Sequence, residues 1–284
     1  MPIFVTDDIN LSTPVQGILP DLNSPRVGID QVLNRANYHN GVGNTLPSNP
    51  VFLALNDSTA DRWRSVNSDA HTMIFNIEES PIDYVGIAAH KGLVGKQLTI
   101  SAITRDSGGN TIAVTTFFGP QMITSSEPIF ILFSEIQSSI TTLVIAVGSD
   151  APFDLEIGIV RAGKSVFLPR NIYVGHTPIT YGRQSNKLIA MSDSSEYLGQ
   201  RLIGVKKQSS VDMQNIPPLF YRNYLYRQFH LPSETTPFFW AWRPEAYPEE
   251  SGFCWLNGDM QVSNSLANGF MSLSFSMMGY SSNG

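Results

Sequence analysis

Short segments in which hydrophobic and polar residues alternate run through most of the chain, and they predict β-strands. The segments Phe153–Val160 and Met271–Met277 each place their apolar residues at a period of two, so one face of each strand is apolar. Ile129–Phe133 and Leu143–Val147 are instead continuous apolar runs, which are typical of strands buried on both faces. Turn residues separate these segments, and the pattern predicts a mainly β protein.

One segment has helical rather than strand periodicity. Its apolar residues recur at helical spacing and are Phe220, Tyr224, Leu225 and Phe229. Pro217 and Pro218 stand at its start, where a missing backbone N–H removes no helical hydrogen bond. We therefore predict one helix over about 217–230 in a chain that is otherwise all-β.

The distribution of these elements predicts three units. Residues 1–24 are polar and contain several prolines, which favours an extended arm. Residues 25–163 hold about eight short strands separated by turn signals, which favours a β-sandwich or jelly roll. Residues 164–284 hold further strands and the helix, and we predict a second β domain there.

Composition narrows the function classes. Charged residues make up only 15% of the 284 residues, against about 25% in average soluble domains. The formal net charge of −6 argues against a nucleic-acid surface, which needs clustered Lys and Arg. The start of the chain lacks the pattern of a signal peptide, and no apolar run is long enough for a membrane-spanning helix. The low charge favours a surface partly buried against other chains.

Aromatic residues supply the candidate subunit interface. In a strand, Phe238, Trp240 and Trp242 point to one face and Phe239 to the other, so both faces are apolar. Such a strand lies either in the middle of a domain or at a subunit interface. The residues that we predict at an interface are Phe238, Phe239, Trp240, Trp242 and Trp255, together with Ile3, Phe4 and Val5 of the arm.

The segment Gly158–Ser165 matches the phosphate-binding pattern G-x-x-x-x-G-K-[ST]. Its first glycine falls within an alternating strand, and Pro169 would break the helix that must follow such a loop. We therefore predict a turn between domains and no nucleotide site. The single Cys254 lies in an apolar strand and is expected to be a buried, unreactive thiol. We expect no catalytic residue, no cofactor and no enzymatic activity.

An oxygen-rich turn is the only candidate metal site. Asn56, Asp57, Thr59 and Asp61 could supply some of the six to eight oxygens that calcium prefers. The five histidines show no spacing typical of metal ligands. We expect no metal apart from this weak calcium candidate.

Two sets of segments resemble known families. The turn Ala54–Trp63 and the strand Tyr84–His90 are similar to the early turn and core strand of galactose-binding-like (discoidin-type) jelly rolls. The segments Phe167–His176, Phe238–Pro244 and Met271–Met277 resemble minor tail proteins of long-tailed bacteriophages. In that group a jelly roll is joined to a domain that resembles the tail-tube and distal-tail "belt" fold.

The tail-protein resemblance implies a structural component of a phage tail tip. Its copies would form a ring, a hexamer or a trimer, that joins the tail tube to host-recognition proteins. The expected partners are therefore further copies and the neighbouring tail-tube and tail-tip proteins, and the expected location is the virion, after synthesis in the host cytoplasm.

The jelly-roll resemblance gives an alternative, which is an adhesin that binds a carbohydrate on the host surface. Arg62, Trp63 and Arg64 lie near the expected loop end and are the candidate sugar-binding residues. Trp63 has a second interpretation, because the equivalent tryptophan of this fold usually packs beneath the sandwich.

Overall fold

The computed structural model describes residues 3–5, 18, 20, 21, 23–40, 44–77, 80–105, 110–137, 140–172, 176–264 and 269–282. Its strands are, in chain order, β1 (Ile3–Val5), β2 (Arg26–Gly28), β3 (Tyr38–Asn40), β4 (Asn44–Thr45), β5 (Trp63–Asn76), β6 (Ile82–Ala88), β7 (Gln97–Arg105), β8 (Thr111–Met122), β9 (Ile129–Gln137), β10 (Thr142–Ile157), β11 (Ile159–Gly163), β12 (Val166–Phe167), β13 (Arg183–Met191), β14 (Tyr197–Ile216), β15 (Phe238–Ala241), β16 (Ser251–Leu256), β17 (Gln261–Ser263) and β18 (Met271–Gly279).

These strands confirm the predicted fold class, which is mainly β with one principal helix. Three sheets are present in the described residues. The helix, α1, begins as an α-helix at Pro218–Phe220, continues with π-helical hydrogen bonding over Tyr221–His230, and ends with Leu231–Ser233. A single 3-10 turn, Val51–Leu55, precedes β5. The observed helix starts where the prolines predict it and extends three residues beyond the predicted end.

Two of the sheets pack face to face as a β-sandwich. One has the order β1-β9-β6-β11, and the other has the order β3-β5-β10-β7-β8, with β4 also paired to β5. The side chains between them are almost all apolar, because the inward positions of each strand alternate with outward polar ones. Ile100, Phe75 and Ile145 are examples from three neighbouring strands, and each is almost completely buried.

The third sheet has the order β12-β2-β15-β16-β18-β14-β13, with β17 also paired to β18. Helix α1 covers one face of it, and Phe229 of the helix contacts the rings of Phe238 and Phe275 in edge-to-face geometry. In β18 the alternate residues Met271, Leu273, Phe275 and Met277 are buried, as the period of two predicts. Residues 173–175 of the segment that resembles tail proteins lie outside the described residues.

Strand β2 crosses the predicted boundary between the two units. Its residues belong to the predicted unit 25–163, but the strand lies in the third sheet between β12 and β15. Gly28 pairs with Phe239, and Arg26 pairs with both Ala241 and Phe167. The C-terminal sheet is therefore complete only when residues from the N-terminal part of the chain enter it.

A third apolar cluster joins the sandwich to this sheet. Tyr84 and Phe130 from the sandwich contact Phe239 and Phe253 from the third sheet. The rings of Phe130 and Phe239 stack with centroids 5.7 Å apart. Gly86 permits this approach, because a Cβ at that position would collide with the ring of Phe239. The two β units share one continuous apolar interior along this seam.

A buried carboxylate adds polar contacts to the seam. Oδ1 of Asp83 accepts a hydrogen bond from the backbone N–H of Ser165 at 2.5 Å, and Oδ2 accepts one from its hydroxyl at 3.1 Å. Burial raises the pKa of Asp83 to about 6, although the two bonds from Ser165 and the charge of Arg26 act in the opposite direction. Asp83 therefore links β6 to the segment that enters the third sheet.

Candidate functional site

A two-stranded ribbon extends beyond the third sheet. Strand β13 pairs with β14 from Arg183↔Lys207 to Met191↔Tyr197, whereas β14 pairs with β18 only from Lys207 onwards. Residues 183–206 thus form a hairpin, called the ribbon below, that has no third strand in the described part of the chain. A two-stranded hairpin of this kind is marginally stable alone in water.

Apolar side chains cover the ribbon on both faces. They are 46 to 65% exposed and are Leu188, Ile189, Met191, Tyr197, Leu198, Leu202 and Ile203. Leu188 and Ile189 are consecutive residues of one strand, so they point to opposite faces. The same holds for Leu202 and Ile203. Exposed apolar surface of this size is typical of interaction surfaces.

The ribbon differs in charge from the rest of the chain. Its basic residues are Arg183, Lys187, Arg201 and Lys206, and its acidic residues are Asp193 and Glu196. The chain as a whole has a net charge of −6, so the rest of the chain is more acidic than that total.

A cavity of about 350 Å³ lies where the sandwich meets the end of helix α1 and strand β16. Its lining residues are Asp57, Thr59, Ser233, Glu234, Thr235, Thr236, Pro237, Phe253, Trp255 and Leu256. Trp255 is 39% exposed, whereas Phe253, two residues earlier in β16, is buried in the seam. The lining thus combines the accessible ring of Trp255 with hydroxyl and carboxylate groups.

Arg161 fixes the polar wall of the cavity from below. Its side chain is buried in β11, and Nη1 donates to the carbonyl oxygens of Pro237 at 2.5 Å and Ile29 at 3.4 Å. Its Nη2 donates to Oδ1 of Asp57 in a salt bridge. The guanidinium therefore holds together the 56–59 turn, the residues before β15 and the segment after β2. The sequence pattern gave no signal for this role, because Arg161 lies in an apolar strand.

Glu234 is one of the two carboxylates in the lining of the cavity. Its nearest cationic candidate is Nε2 of His230, 3.8 Å from Oε1. Burial lowers the pKa of His230 more than the nearby carboxylate raises it, so the imidazole is neutral at pH 7. Nδ1 of this neutral ring lies 2.6 Å from the hydroxyl of Tyr221, which can donate to it. None of the described residues lining the cavity is basic.

The structure places the three predicted sugar-binding residues differently. Trp63 is only 1% exposed, and its Nε1–H donates to Oγ1 of Thr45 at 3.2 Å, so its ring has no face to offer a sugar. This is the interpretation in which the tryptophan packs beneath the sandwich. Arg62 and Arg64 both contact Glu156 at 3.5 Å. They form a surface ion-pair group without an aromatic platform.

The predicted calcium turn is held by contacts between its own groups. Nδ2 of Asn56 donates to Oδ2 of Asp61 at 3.3 Å, and Asp57 is bound by Arg161. The backbone carbonyl of Thr59 accepts from Nε of Arg62 at 3.3 Å. Hydrogen-bond donors thus occupy oxygens that a calcium ion would need. No group of three or more His, Cys, Asp or Glu side chains in the described residues could hold a metal ion.

The aromatic run of strand β15 lies in the interior of the chain and not at a subunit interface. Phe238, Phe239 and Trp240 are completely buried, because α1 covers one face of β15 and the sandwich covers the other. The expectation of an interface at these three residues is corrected in favour of the central-layer alternative. Trp242 is partly buried, stacks on Tyr247 with centroids 5.3 Å apart, and donates to Glu250. Of the predicted aromatic interface residues, Trp255 has an exposed ring.

The arm residues Ile3, Phe4 and Val5 form β1, which pairs in parallel with Phe130–Leu132 of the same chain. We expected these residues to contact a neighbouring copy, but in this structure they pair with a strand of their own chain. Most of the other residues of the predicted arm 1–24 lie outside the described residues. Exposed apolar side chains of the described chain lie instead on the ribbon, among other places.

The phosphate-binding pattern and the single cysteine both lie in ordinary strands of the fold. Within the segment Gly158–Ser165, residues 159–163 are strand β11, and Ser165 bonds to Asp83, so the segment is not a loop that leads into a helix. Cys254 is buried, and burial raises the pKa of its thiol far above the ordinary value. No helix in the described part of the chain is both long and apolar enough to cross a membrane.

Comparisons with known proteins give structural neighbours only. No protein-family model and no curated protein matches the chain. Similar solved structures include chitosan-binding module 1 of a chitosanase/glucanase from Paenibacillus sp. IK-5, with 15% identity, a TM-score of 0.37, and coverage of 47% of this chain and 98% of that chain.

Two further structures give similar values. CpGH89CBM32-6 from Clostridium perfringens has 11% identity and a TM-score of 0.36, and the match covers 47% of this chain and 98% of that chain. A mutant of the lectin binding domain of lectinolysin, complexed with Lewis b, has 8% identity and a TM-score of 0.36, with coverage of 49% and 99%. These neighbours are carbohydrate-binding proteins, and none is described as a phage tail protein.

Proposed function

We propose that this chain is a structural subunit that assembles with further copies of itself, as its resemblance to phage tail-tip proteins implies, and that the ribbon forms the contact. The observation that carries the proposal is the ribbon of residues 183–206, which is apolar on both faces and pairs with no third strand among the described residues. The expected ring, its tail-tube neighbours and its place in a virion belong to the same proposal.

The geometry of the ribbon supports a partner that encloses it. A surface that covers only one face would leave Leu188 or Ile189 in water, because these side chains point in opposite directions. Full burial of a large apolar side chain contributes about 1.5–3 kcal/mol, and these seven are already about half buried, so each contributes roughly half of that. When the ribbon of one copy binds a different surface on the next copy, the contact is head-to-tail. Repeated contacts of this kind form a ring if the rotation between successive copies closes after a whole number of copies.

Light scattering across a concentration series tests the proposal. We expect a mass that is a closed-ring multiple of 31.3 kDa, and we expect Ile203→Glu to reduce it towards the monomer. Ile112→Glu is the matched control, because Ile112 is 65% exposed in β8 of the sandwich and Ile203 is 61% exposed in the ribbon. A wild-type monomer at every concentration, or equal effects of the two variants, would contradict the proposal.

Carbohydrate binding is the second candidate function, and the cavity beside Trp255 favours it. Sugar-binding sites combine an apolar or aromatic face with a few fixed polar groups. Trp255 supplies an exposed ring, and Thr59, Thr235 and Asp57 supply hydroxyl and carboxylate groups across the cavity. The adhesin hypothesis therefore moves from Arg62, Trp63 and Arg64 to this cavity.

A further inference from the structure

We propose that the cavity beside Trp255 selects a saccharide unit that carries a free, positively charged amino group. The inference rests on the proposed carbohydrate function and adds the chemical class of its ligand. It is built from the three kinds of group that surround the cavity, which are an indole ring, a set of hydroxyl groups and two carboxylates without a basic neighbour in the lining.

The indole ring of Trp255 provides the platform for the sugar. It is 39% exposed, and Pro237 and Leu256 extend the apolar wall beside it. The C–H face of a pyranose ring packs against such a surface, because the electron-rich face of an aromatic ring attracts polarised hydrogens. The volume of about 350 Å³ falls at the lower end of the range of roughly 300–1,000 Å³ for small-ligand sites.

The carboxylates determine which sugar fits. Asp57 and Glu234 are each 55% exposed at the cavity, and no described lining residue is basic. Arg161 holds Oδ1 of Asp57 in place and partly compensates its charge, whereas the ion-pair contact of Glu234 among the described residues is to His230, which is neutral. An ammonium group at this position forms a charge-assisted hydrogen bond, which is about twice as strong as one between neutral groups.

Other sugar classes lack this match. A neutral sugar has no positive group to pair with Glu234, and an anionic sugar is repelled by the same carboxylate. The hydroxyl groups of Thr59, Thr235 and Thr236 can both donate and accept, so they suit the sugar hydroxyl groups of any class. Selection between classes therefore depends on Glu234, and adhesion of the sugar ring depends on Trp255.

Isothermal titration with two matched trisaccharides tests the inference. Glucosamine trisaccharide carries amino groups, and N-acetylglucosamine trisaccharide has the same chain with those groups acetylated. We expect the first to bind at least about tenfold more tightly, the ratio that one charge-assisted hydrogen bond supports, and we expect added NaCl to reduce the difference. Tri-lysine serves as a cationic probe without a sugar, and we expect weak binding.

Variants of Glu234 and Trp255 test whether the preference for the amino sugar arises in this cavity. We expect Glu234→Gln to remove the preference for the amino sugar while retaining weak binding of both probes, and we expect Trp255→Ala to abolish both. Glu196→Gln is the matched control, since it makes the same change of charge on the ribbon and should alter neither affinity. The urea midpoint of each variant confirms that the fold is retained.

The outcomes separate the two levels of the proposal. Equal binding of the two trisaccharides, both lost in Trp255→Ala, would overturn the amino-sugar inference and leave carbohydrate binding intact. Absence of binding by either trisaccharide would contradict the carbohydrate function itself. Tri-lysine that binds as tightly as the amino sugar, or a preference that survives Glu234→Gln, would also overturn the inference.

Discussion

Replacing Arg161 by methionine tests whether one buried guanidinium holds the two β units together. The side chain is 2% exposed and donates to the carbonyl oxygens of Pro237 at 2.5 Å and Ile29 at 3.4 Å, besides its salt bridge to Asp57. Methionine has a similar length and keeps much of the apolar contact, but it donates no hydrogen bond. Both carbonyl oxygens would then lose a donor.

The expected cost follows from these contacts. A buried acceptor left without a donor costs about 1–3 kcal/mol, and the long bond to Ile29 contributes at the lower end of that range. The Asp57 carboxylate is 55% exposed and returns to water at little cost. We expect the free energy of unfolding to fall by about 3 kcal/mol, a large part of the roughly 5–15 kcal/mol typical of folded domains.

Urea unfolding followed by tryptophan fluorescence measures this change. Arg64→Met is the control, because Arg64 is 44% exposed and makes one contact of 3.5 Å to Glu156. We expect a loss below about 1 kcal/mol for this control, as for other exposed ion pairs. Equal losses for the two variants, or a loss below about 1 kcal/mol for Arg161→Met, would refute the linking role of Arg161.

Three other predictions concern the seam and the core. The folded chain holds a proton on Asp83 up to about pH 6, whereas the unfolded chain releases it near pH 4, so the free energy of unfolding falls as pH rises through this window. In urea titrations at stepped pH, we expect the wild type to lose up to about 3 kcal/mol relative to Asp83→Asn. Parallel pH curves for the two proteins would contradict this prediction. A fragment of residues 164–284 lacks β2 and should show no cooperative thermal unfolding, whereas a fragment that unfolds cooperatively would show that the sheet does not need β2. The thiol of Cys254 should react with an aromatic disulfide reagent only after denaturant is added, and rapid labelling of the native chain would contradict its burial.

Local patterns predicted the elements well. The period of two over Met271–Met277 corresponds to a strand whose alternate side chains are buried, and the helical spacing from Phe220 to Phe229 corresponds to α1. These features depend on residues that are neighbours in sequence. The periodicity of a segment determines which of its faces is apolar, so it can be recognised without knowledge of the rest of the fold.

Features that depend on distant residues were not predictable in this way. Nothing in the three residues of β2 indicates a place beside β15, because that pairing is set by tertiary packing. The aromatic run of β15 left both a central layer and an interface open, and only the arrangement of α1 and the sandwich decides between them. The Trp255 cavity likewise combines residues from Asp57 to Leu256 that no local motif connects.

The place of β2 in the C-terminal sheet has a consequence for synthesis of the chain. Gly28 pairs with Phe239, so the strand leaves the ribosome about 210 residues before its partner does. At about 5–20 residues per second, this interval is roughly 10–40 s, much longer than folding of a small domain normally takes. The sandwich can form during this delay while β2 has β12 as its only neighbour in the third sheet. The C-terminal half then folds against a strand and an apolar seam that are already in position, and the last strands to be synthesised complete the third sheet.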